Sequence, residues 1–316
     1  MTIKTDRHRP EDPRAFEEML LRSEAKFSTL FNASPLGMTV VDAETGRFLN
    51  VNKAVLNATG YTEDEFLSFS YWDITPEKYR DQELQQLIDL KEKGRFSPNR
   101  KEYICKDGSL FPISISGVAL VDTDGKEIVL GLIEDISERL AHEKELERLA
   151  LYDTLTNLPN RRLITERIGQ AIAKSQRDRS IFAIFVLDLD NFKPVNDNLG
   201  HYGGDELLKE TALRIKSLLR RGTDSVSRHG GDEFLLLLTD IKTQDEARRI
   251  AKSICKALAK PFQIEDEVVT VSASIGIAVY PDHGTDQITL FRNADKALSR
   301  VKEEHGNGCK VFGSYY

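Results

Sequence analysis

The sequence predicts a chain of two mixed domains: an α+β domain first, a connecting helix, then an α/β domain. Three observations carry this. At 316 residues the chain exceeds what one ordinary core fills. Its first half passes from helical periodicity to β-rich runs punctuated by Asp-Gly, a hairpin signal. Its second half alternates apolar strands with helical patterns, as expected of a sheet covered by helices.

Between Pro13 and Phe31, residues Phe16, Met19, Leu20, Phe27, Leu30 and Phe31 recur at helical steps, predicting an amphipathic helix that stops near Ser34-Pro35. "GMTVVD" and "GRFLNVN" read as short strands, and 63–93 as a polar helical stretch. "KEYICKDG", "LFPISISGVALVDTDG" and "KEIVLGLIEDIS" then read as strands joined at Asp107-Gly108 and Asp124-Gly125. Ile113 and Ile115 alternate with Ser114 and Ser116, giving one buried and one wetter face. Two strands, short helices and a three-stranded meander resemble the PAS fold over about 23–137, where "EDISER" is similar to the element that closes many PAS domains.

From Ser137 to Ala150 a charged helix carries Leu140, Leu146, Leu149 and Ala150 on one side. Such a stripe suits a solvated connector or a short coiled coil with a second copy. Beyond "DTLTNLPNRR" the expected elements are a helix (163–176), a strand (181–190), a helix (206–220), a hairpin at Gly230-Gly231, a helix (244–259), a strand pair ending in 269–280 and a last helix (287–304). The resulting organisation is a helical extension (1–22), a PAS-like sensor domain (23–137), a signalling helix (138–152) and an α/β domain (153–316).

Composition narrows the function. The net charge of −7 is spread over mixed segments, with no basic footprint for nucleic acid. Cys105, Cys255 and Cys309 lie far apart, suggesting neither zinc site nor disulfide framework, and no apolar run approaches a membrane span. A cytoplasmic protein without membrane insertion is expected.

Gly-Gly-Asp-Glu occurs twice, at 203–206 and 230–233. The first copy precedes Leu207, Leu208, Ala212, Ile215 and Leu218 at helical spacing, so it reads as a helix N-terminus where acidic residues complement the dipole. The second precedes the apolar run Phe234–Leu238 and reads as a tight hairpin entering a buried strand. Another apolar strand runs into Asp188 and Asp190, and carboxylates meeting there suit a hard divalent cation and phosphoryl or nucleotidyl transfer.

The blocks "DTLTNLPNRR", "DLDNFKPVNDNLGHYGGDELL", "RHGGDEF", "SIGIAVY" and "ADKALSRVK" resemble, in order, the GGDEF family of diguanylate cyclases over about 145–316. The resemblance implies a palm-like α/β domain that joins two GTP, one on each subunit of a homodimer, into cyclic di-GMP with release of two pyrophosphates. It implies Mg²⁺, with Mn²⁺ as the alternative, held by Asp188, the Leu189 carbonyl, Asp232 and Glu233, with Asp232 also helping to deprotonate the ribose 3′-hydroxyl. Gly230 and Gly231 would admit the phosphates, Lys193 and Lys302 would bind them, and Asn196, His201 and Asp205 would line the nucleotide pocket. Arg221 and Asp224 match the family's inhibitory product site; a plainer reading is a helix C-terminus formed by Arg220, Arg221 and Gly222.

Two positions depart from the family pattern: Ser299 stands where tyrosine is usual, and the arginine expected after Lys302 is missing. No histidine falls between residues 20 and 135, arguing against a histidine-ligated haem, and Cys105 and Trp72 read as packing residues; the sensor's ligand is unknown. Homodimerisation through the PAS-like domain and connecting helix would let a signal set how two cyclase domains meet. The rival function is a catalytically silent module that senses GTP or cyclic di-GMP, or a signalling adaptor. With the chain ending shortly after the GGDEF region, phosphodiesterase activity is not expected.

Overall fold

The computed structural model describes residues 13–219 and 221–314. The first part of the expected N-terminal extension, the side chains of Phe16 and Leu20, and Arg220 lie outside the described residues. The chain divides into two compact units, Met1–Glu143 and Lys144–Tyr316.

In the first unit, helix α1 (Pro13–Ala33) leads into strands β1 (Gly37–Asp42) and β2 (Phe48–Val51) and helices α2 (Lys53–Thr59) and α3 (Glu63–Ser68). Asn52 fixes this corner. Its fully buried amide donates to the carbonyls of Phe31 and Leu36, while its Oδ1 accepts from Met38 N and caps α2 through Val55 N. A buried amide is tolerated where both ends find partners.

The expected helix over 63–93 is broken. Between α3 and α4 (Arg80–Lys93) the chain dips so that Ile74 enters the core and its carbonyl accepts from Ile104 N, which an unbroken helix could not allow. Strands β3 (Arg95–Ile104), β4 (Leu110–Val121) and β5 (Glu127–Asp135) complete an antiparallel sheet of order β2-β1-β5-β4-β3. Strand β3 starts six residues before the expected "KEYI" because an irregularity between Phe96 and Asn99 absorbs Pro98 at the sheet edge. In the Asp-Gly turns only the glycines, Gly108 and Gly125, take positive φ, so these are longer turns than the two-residue primed type. Ile113, Ile115 and Cys105 are buried as expected, while Trp72 is half exposed against Tyr71.

Helix α5 (Ser137–Leu151) carries Leu146 and Leu149 exposed and has no buried residue. The second unit follows with α6 (Arg161–Asp178), capped by Asn160, then β6 (Ile181–Asp190), α7 (Phe192–Leu218), β7 (Ser225–Gly230) and β8 (Glu233–Ile241). Helix α8 (Gln244–Leu258), the small hairpin β9 (Phe262–Ile264) and β10 (Glu267–Val269), β11 (Ser272–Tyr280), α9 (Gln287–Glu303) and β12 (Gly308–Val311) complete it. The main sheet has the order β12-β11-β6-β8-β7, antiparallel except that β12 runs parallel to β11. The sequence did not announce β12, whose four residues "GCKV" are too short and mixed to show a period.

Strand β6 lies at the sheet's centre, and its side chains alternate between two cores. Ala183, Phe185 and Leu187 join the core that contains the apolar residues of α7 and α8, while Phe182, Ile184 and Val186 join that of α6 and α9. Helix α9 approaches the sheet at Gly276. A Cβ built there would lie 2.0 Å from the Ala294 carbonyl oxygen and 2.3 Å from the Leu298 nitrogen, both backbone atoms. Gly276→Ala should therefore destabilise the second unit by about 1–3 kcal/mol. Its urea midpoint should fall while that of the first unit holds; an unchanged midpoint would refute the close approach.

Candidate active site

Period two decides what the end of β6 presents. Asp188 follows Phe182, Ile184 and Val186 onto the α9 side, where its Oδ1 lies 2.8 Å from Lys302 Nζ. Glu233 is its cross-strand partner on β8, so the two carboxylates share a face. Between them Asp232 occupies the turn joining β7 to β8, and its backbone carbonyl accepts from Leu189 N at 3.4 Å. Leu189, one step out of phase with Asp188, is buried in the opposite core.

Burial pushes the Asp188 carboxyl above its ordinary pKa, and Asp232 and Asp190 add to this against Lys302. Glu233 is likewise pushed up by burial first, then by Asp188, with Lys302 opposing. Crowded carboxylates with one ammonium for balance fit a hard divalent cation by donor chemistry. Among the described residues no three acidic, histidine or cysteine side chains are already gathered as a metal site.

Asp188, Leu189, Asp232, Lys193 and Lys302 line one groove, together with His305 and Gly306. Glu233, Asn196, His201, Asp205, Gly230 and Gly231 do not line it. Gly230 and Gly231 have φ of 147° and 52°, and a Cβ built on either would meet nothing within 4 Å, so the demand for glycine here is conformational. The hairpin is a two-residue turn, with Gly230 paired to Glu233.

The first Gly-Gly-Asp-Glu copy differs from expectation. Helix α7 begins at Phe192 and is kinked at Gly200 (φ 71°, ψ 175°), so the copy lies in the opening turns of the helix's second segment rather than at a free start near 206. Its glycines serve packing: a Cβ on Gly204 would lie 1.9 Å from Asn196 Oδ1, and one on Gly203 2.4 Å from Leu199 Cβ. The kink thereby sets Asn196 against the segment that carries His201 and Asp205, whose side chains are exposed.

Asp190, expected beside Asp188 as a ligand candidate, is a fastener instead. Its carboxylate accepts from Ser272 Oγ (2.6 Å), Ser274 Oγ (2.7 Å) and Asn307 N (2.9 Å), tying β6 to β11 and to the turn before β12. Ser299 is exposed and its hydroxyl donates to the Asp295 carbonyl.

Arg221 and Asp224 lie together away from this groove. Arg221 donates to Glu246 Oε1 (2.6 Å) and the Thr239 carbonyl (3.2 Å), and Asp224 accepts from Thr239 N (3.1 Å). With Arg249 and Ser253 of α8 they line one pocket. Burial pushes the Asp224 carboxyl above its ordinary pKa.

One residue of the site had no signal in the sequence. Arg228 on β7 donates through Nε to the Gly231 carbonyl (2.9 Å) and through Nη1 to Asp153 (3.3 Å), while its backbone N–H donates to the Pro159 carbonyl (3.2 Å). The guanidinium thus joins the acidic hairpin to the turn where the chain leaves α5. Its neighbour His229 stacks on Phe291 with centroids 5.4 Å apart, and burial lowers its pKa.

Comparison with known proteins bears on this site directly. The family described as diguanylate cyclase, GGDEF domain, matches residues 150–308, and a PAS domain family matches residues 35–138. The bifunctional diguanylate cyclase/cyclic di-GMP phosphodiesterase MucR of Pseudomonas aeruginosa is 44% identical over 171 residues, which are 54% of this chain and 25% of that protein. The diguanylate cyclase TpbB of the same species is 36% identical over 193 residues, 60% of this chain and 44% of its own length. A solved structure comprising only the TpbB GGDEF domain superposes with a TM-score of 0.50 at 36% identity, covering 51% of this chain and 94% of that one. The chain spans less than half the length of these curated relatives.

Replacing Arg228 by lysine removes the fork that reaches both Gly231 and Asp153. Amide hydrogens of residues 230–233 should then exchange faster by about tenfold, the cost of one net hydrogen bond, while those in the middle of β6 stay protected. Equal protection in both proteins would leave Arg228 no positioning role.

Proposed function

Because the chain belongs to the diguanylate cyclase GGDEF-domain family and carries a PAS domain, we propose that it condenses two GTP into cyclic di-GMP with release of two pyrophosphates. The observation that carries this is the groove that Asp188 and Asp232 line together with Lys193 and Lys302, with Glu233 paired across the strands to Asp188. The reaction requires two nucleotides with their 3′-hydroxyls and α-phosphates opposed, so two such sites must face each other in a homodimer.

Asp188, Asp232, Glu233 and the Leu189 carbonyl would hold Mg²⁺ or Mn²⁺, which when bound neutralises triphosphate charge and favours attack at the α-phosphate. Asp232, half-buried at the turn, takes the proton of the ribose 3′-hydroxyl. Lys193 and Lys302 hold the phosphates, and Lys302 exchanges its contact with Asp188 for a phosphate oxygen as substrate enters. Gly230 and Gly231 leave open space over the hairpin for the phosphates. Asn196, His201 and Asp205 receive the base, an amide and a carboxylate being matched to the donor and acceptor edge of guanine. The PAS domain, connecting helix and cytoplasmic setting complete the proposal: a signal in the first unit alters how two second units meet.

Purified protein incubated with GTP and Mg²⁺ should release pyrophosphate and form cyclic di-GMP, and Asp232→Ala should lower the rate at least a hundredfold, about 3 kcal/mol of barrier. A dimer stripped of bound nucleotide that yields no product would instead assign the chain to the silent sensing modules.

Product restraint is part of the same proposal. Arg221 spends two N–H groups on Glu246 and Thr239, and the rest of its fork is available to a phosphate of cyclic di-GMP beside Asp224. Arg221→Ala should raise the cyclic di-GMP concentration that halves the rate by about tenfold or more, measured with product added at the start. Unchanged inhibition would remove this site.

A further inference from the structure

The second unit has a pocket on the far side of the acidic hairpin, separate from the groove. Arg161, Arg162 and Thr165 of α6 line it together with Arg228, His229 and Gly230 of β7, and Asp153 and Asn160 complete the wall. Three guanidiniums therefore face one carboxylate, and that carboxylate is already paired with Arg228. Arg161 and Arg162 are exposed, and neither forms an ion pair among the described residues. Cations gathered in a concave wall with nothing to balance them draw in an anion. The start of α6 is not what calls for one, because the Asn160 side chain already accepts from Arg162 N and Leu163 N. His229 adds a second deficit. Its Nδ1 is buried without a hydrogen-bond partner among the described residues, which leaves either tautomer short of one contact.

The sheet order says where such an anion comes from. In the order β12-β11-β6-β8-β7, the groove lies over the end of β6, the start of β11 and the turn before β12, whereas the pocket lies at β7, the opposite edge. Asp232 lines the first and Gly230 the second, so one turn separates the two openings. A nucleotide seated in the groove brings its ribose to Asp232 and its phosphates to Lys193 and Lys302. The nucleotide that its 3′-hydroxyl attacks is held by the second copy and must approach from the side left free, which is the side of the pocket. Resting on the cyclase reading, we propose that Arg161 and Arg162 bind phosphate oxygens of the GTP held by the second copy. As the 3′ oxygen bonds to the α-phosphorus of that GTP and the bond from this phosphorus to pyrophosphate breaks, the hydroxyl proton passes to Asp232 and negative charge gathers on the departing pyrophosphate. Guanidiniums placed across the hairpin are matched to that charge, since they bind phosphate through paired N–H groups and do not lose their own proton.

Turnover and binding test this separately. Replacing both residues, Arg161→Ala with Arg162→Ala, should lower kcat for cyclic di-GMP at saturating GTP by at least about a hundredfold. The variant's affinity for 3′-deoxy-GTP with Mg²⁺, measured by calorimetry, should stay within about twofold of the parent's, because the contact is made only when two loaded copies face each other. This nucleotide lacks the attacking hydroxyl and cannot condense, and retained affinity also shows that the variant is folded. In the parent chain labelled at arginine with ¹⁵N, inorganic pyrophosphate should displace the Nε signals of Arg161 and Arg162 along a saturating curve. Weakened 3′-deoxy-GTP binding would hand the two arginines to the chain's own nucleotide and overturn the assignment. An unchanged kcat, or arginine signals indifferent to pyrophosphate, would overturn it as well while leaving the cyclase reading intact. A parent chain that makes no cyclic di-GMP sinks that reading and this contact together.

Discussion

Everything in the second unit depends on the burial of β6 on both faces. A strand in that position can present no polar side chain until it emerges, so its first carboxylate, Asp188, stands at the rim of the core rather than on an open surface. The consequences follow from register. Glu233 is placed beside Asp188 by the β6–β8 ladder, Asp232 is placed above them by a turn of two residues, and Lys302 arrives from the helix that covers the same face. Repulsion among these carboxylates would open the site if the strands could separate. The two cores that clamp β6, from Phe182 to Leu187 on alternate sides, prevent it.

That constraint also explains what could be read without coordinates. An unbroken apolar run ending in two aspartates states a buried strand and its exit, and two consecutive glycines before Asp-Glu state a tight turn. The fold class, both sheets and the acidic hairpin were legible for this reason. Local pattern failed where tertiary contact overrides it. Pro98 hides the start of β3, which as an edge strand can dispense with that N–H; Ile74 breaks a stretch whose polarity alone reads as helix; β12 is too short to show a period. Asp188 and Asp190 look equivalent in sequence, two steps apart on one face. Only the serines of β11, more than eighty residues away, separate a carboxylate that faces Lys302 in the groove from one that fastens the sheet.

The two units treat buried polarity differently. In the first, Asn52 satisfies both ends of its amide and holds α1, β1 and α2 in register, a use of polarity for position. In the same core Gln86 and the Lys101–Glu83 pair are arranged around empty space, where an apolar side chain of similar size would pack at lower cost. In the second unit Asp188 and Ser274 are buried at the end of β6, while Ser175, Thr211, Ser225, Ser227 and Asn293 are buried elsewhere.

The link from the connecting helix to the acidic hairpin is short and made of few bonds. Helix α5 ends at Leu151, Asp153 follows two residues later, and Arg228 spans from that aspartate to the Gly231 carbonyl. The turn between is closed on itself by the Asp153–Thr156 and Asp153–Leu158 bonds, so it moves as a piece rather than absorbing displacement. A shift of the helix end must therefore be passed to Gly231 through the guanidinium or break a bond to a half-buried carboxylate. Since Gly231 and Asp232 form the turn itself, with little side-chain packing to hold them, a small displacement there changes where Asp232 points while Asp188, clamped in the sheet, stays. The arrangement separates a half of the acidic site clamped in the sheet from a half held by the turn that follows α5.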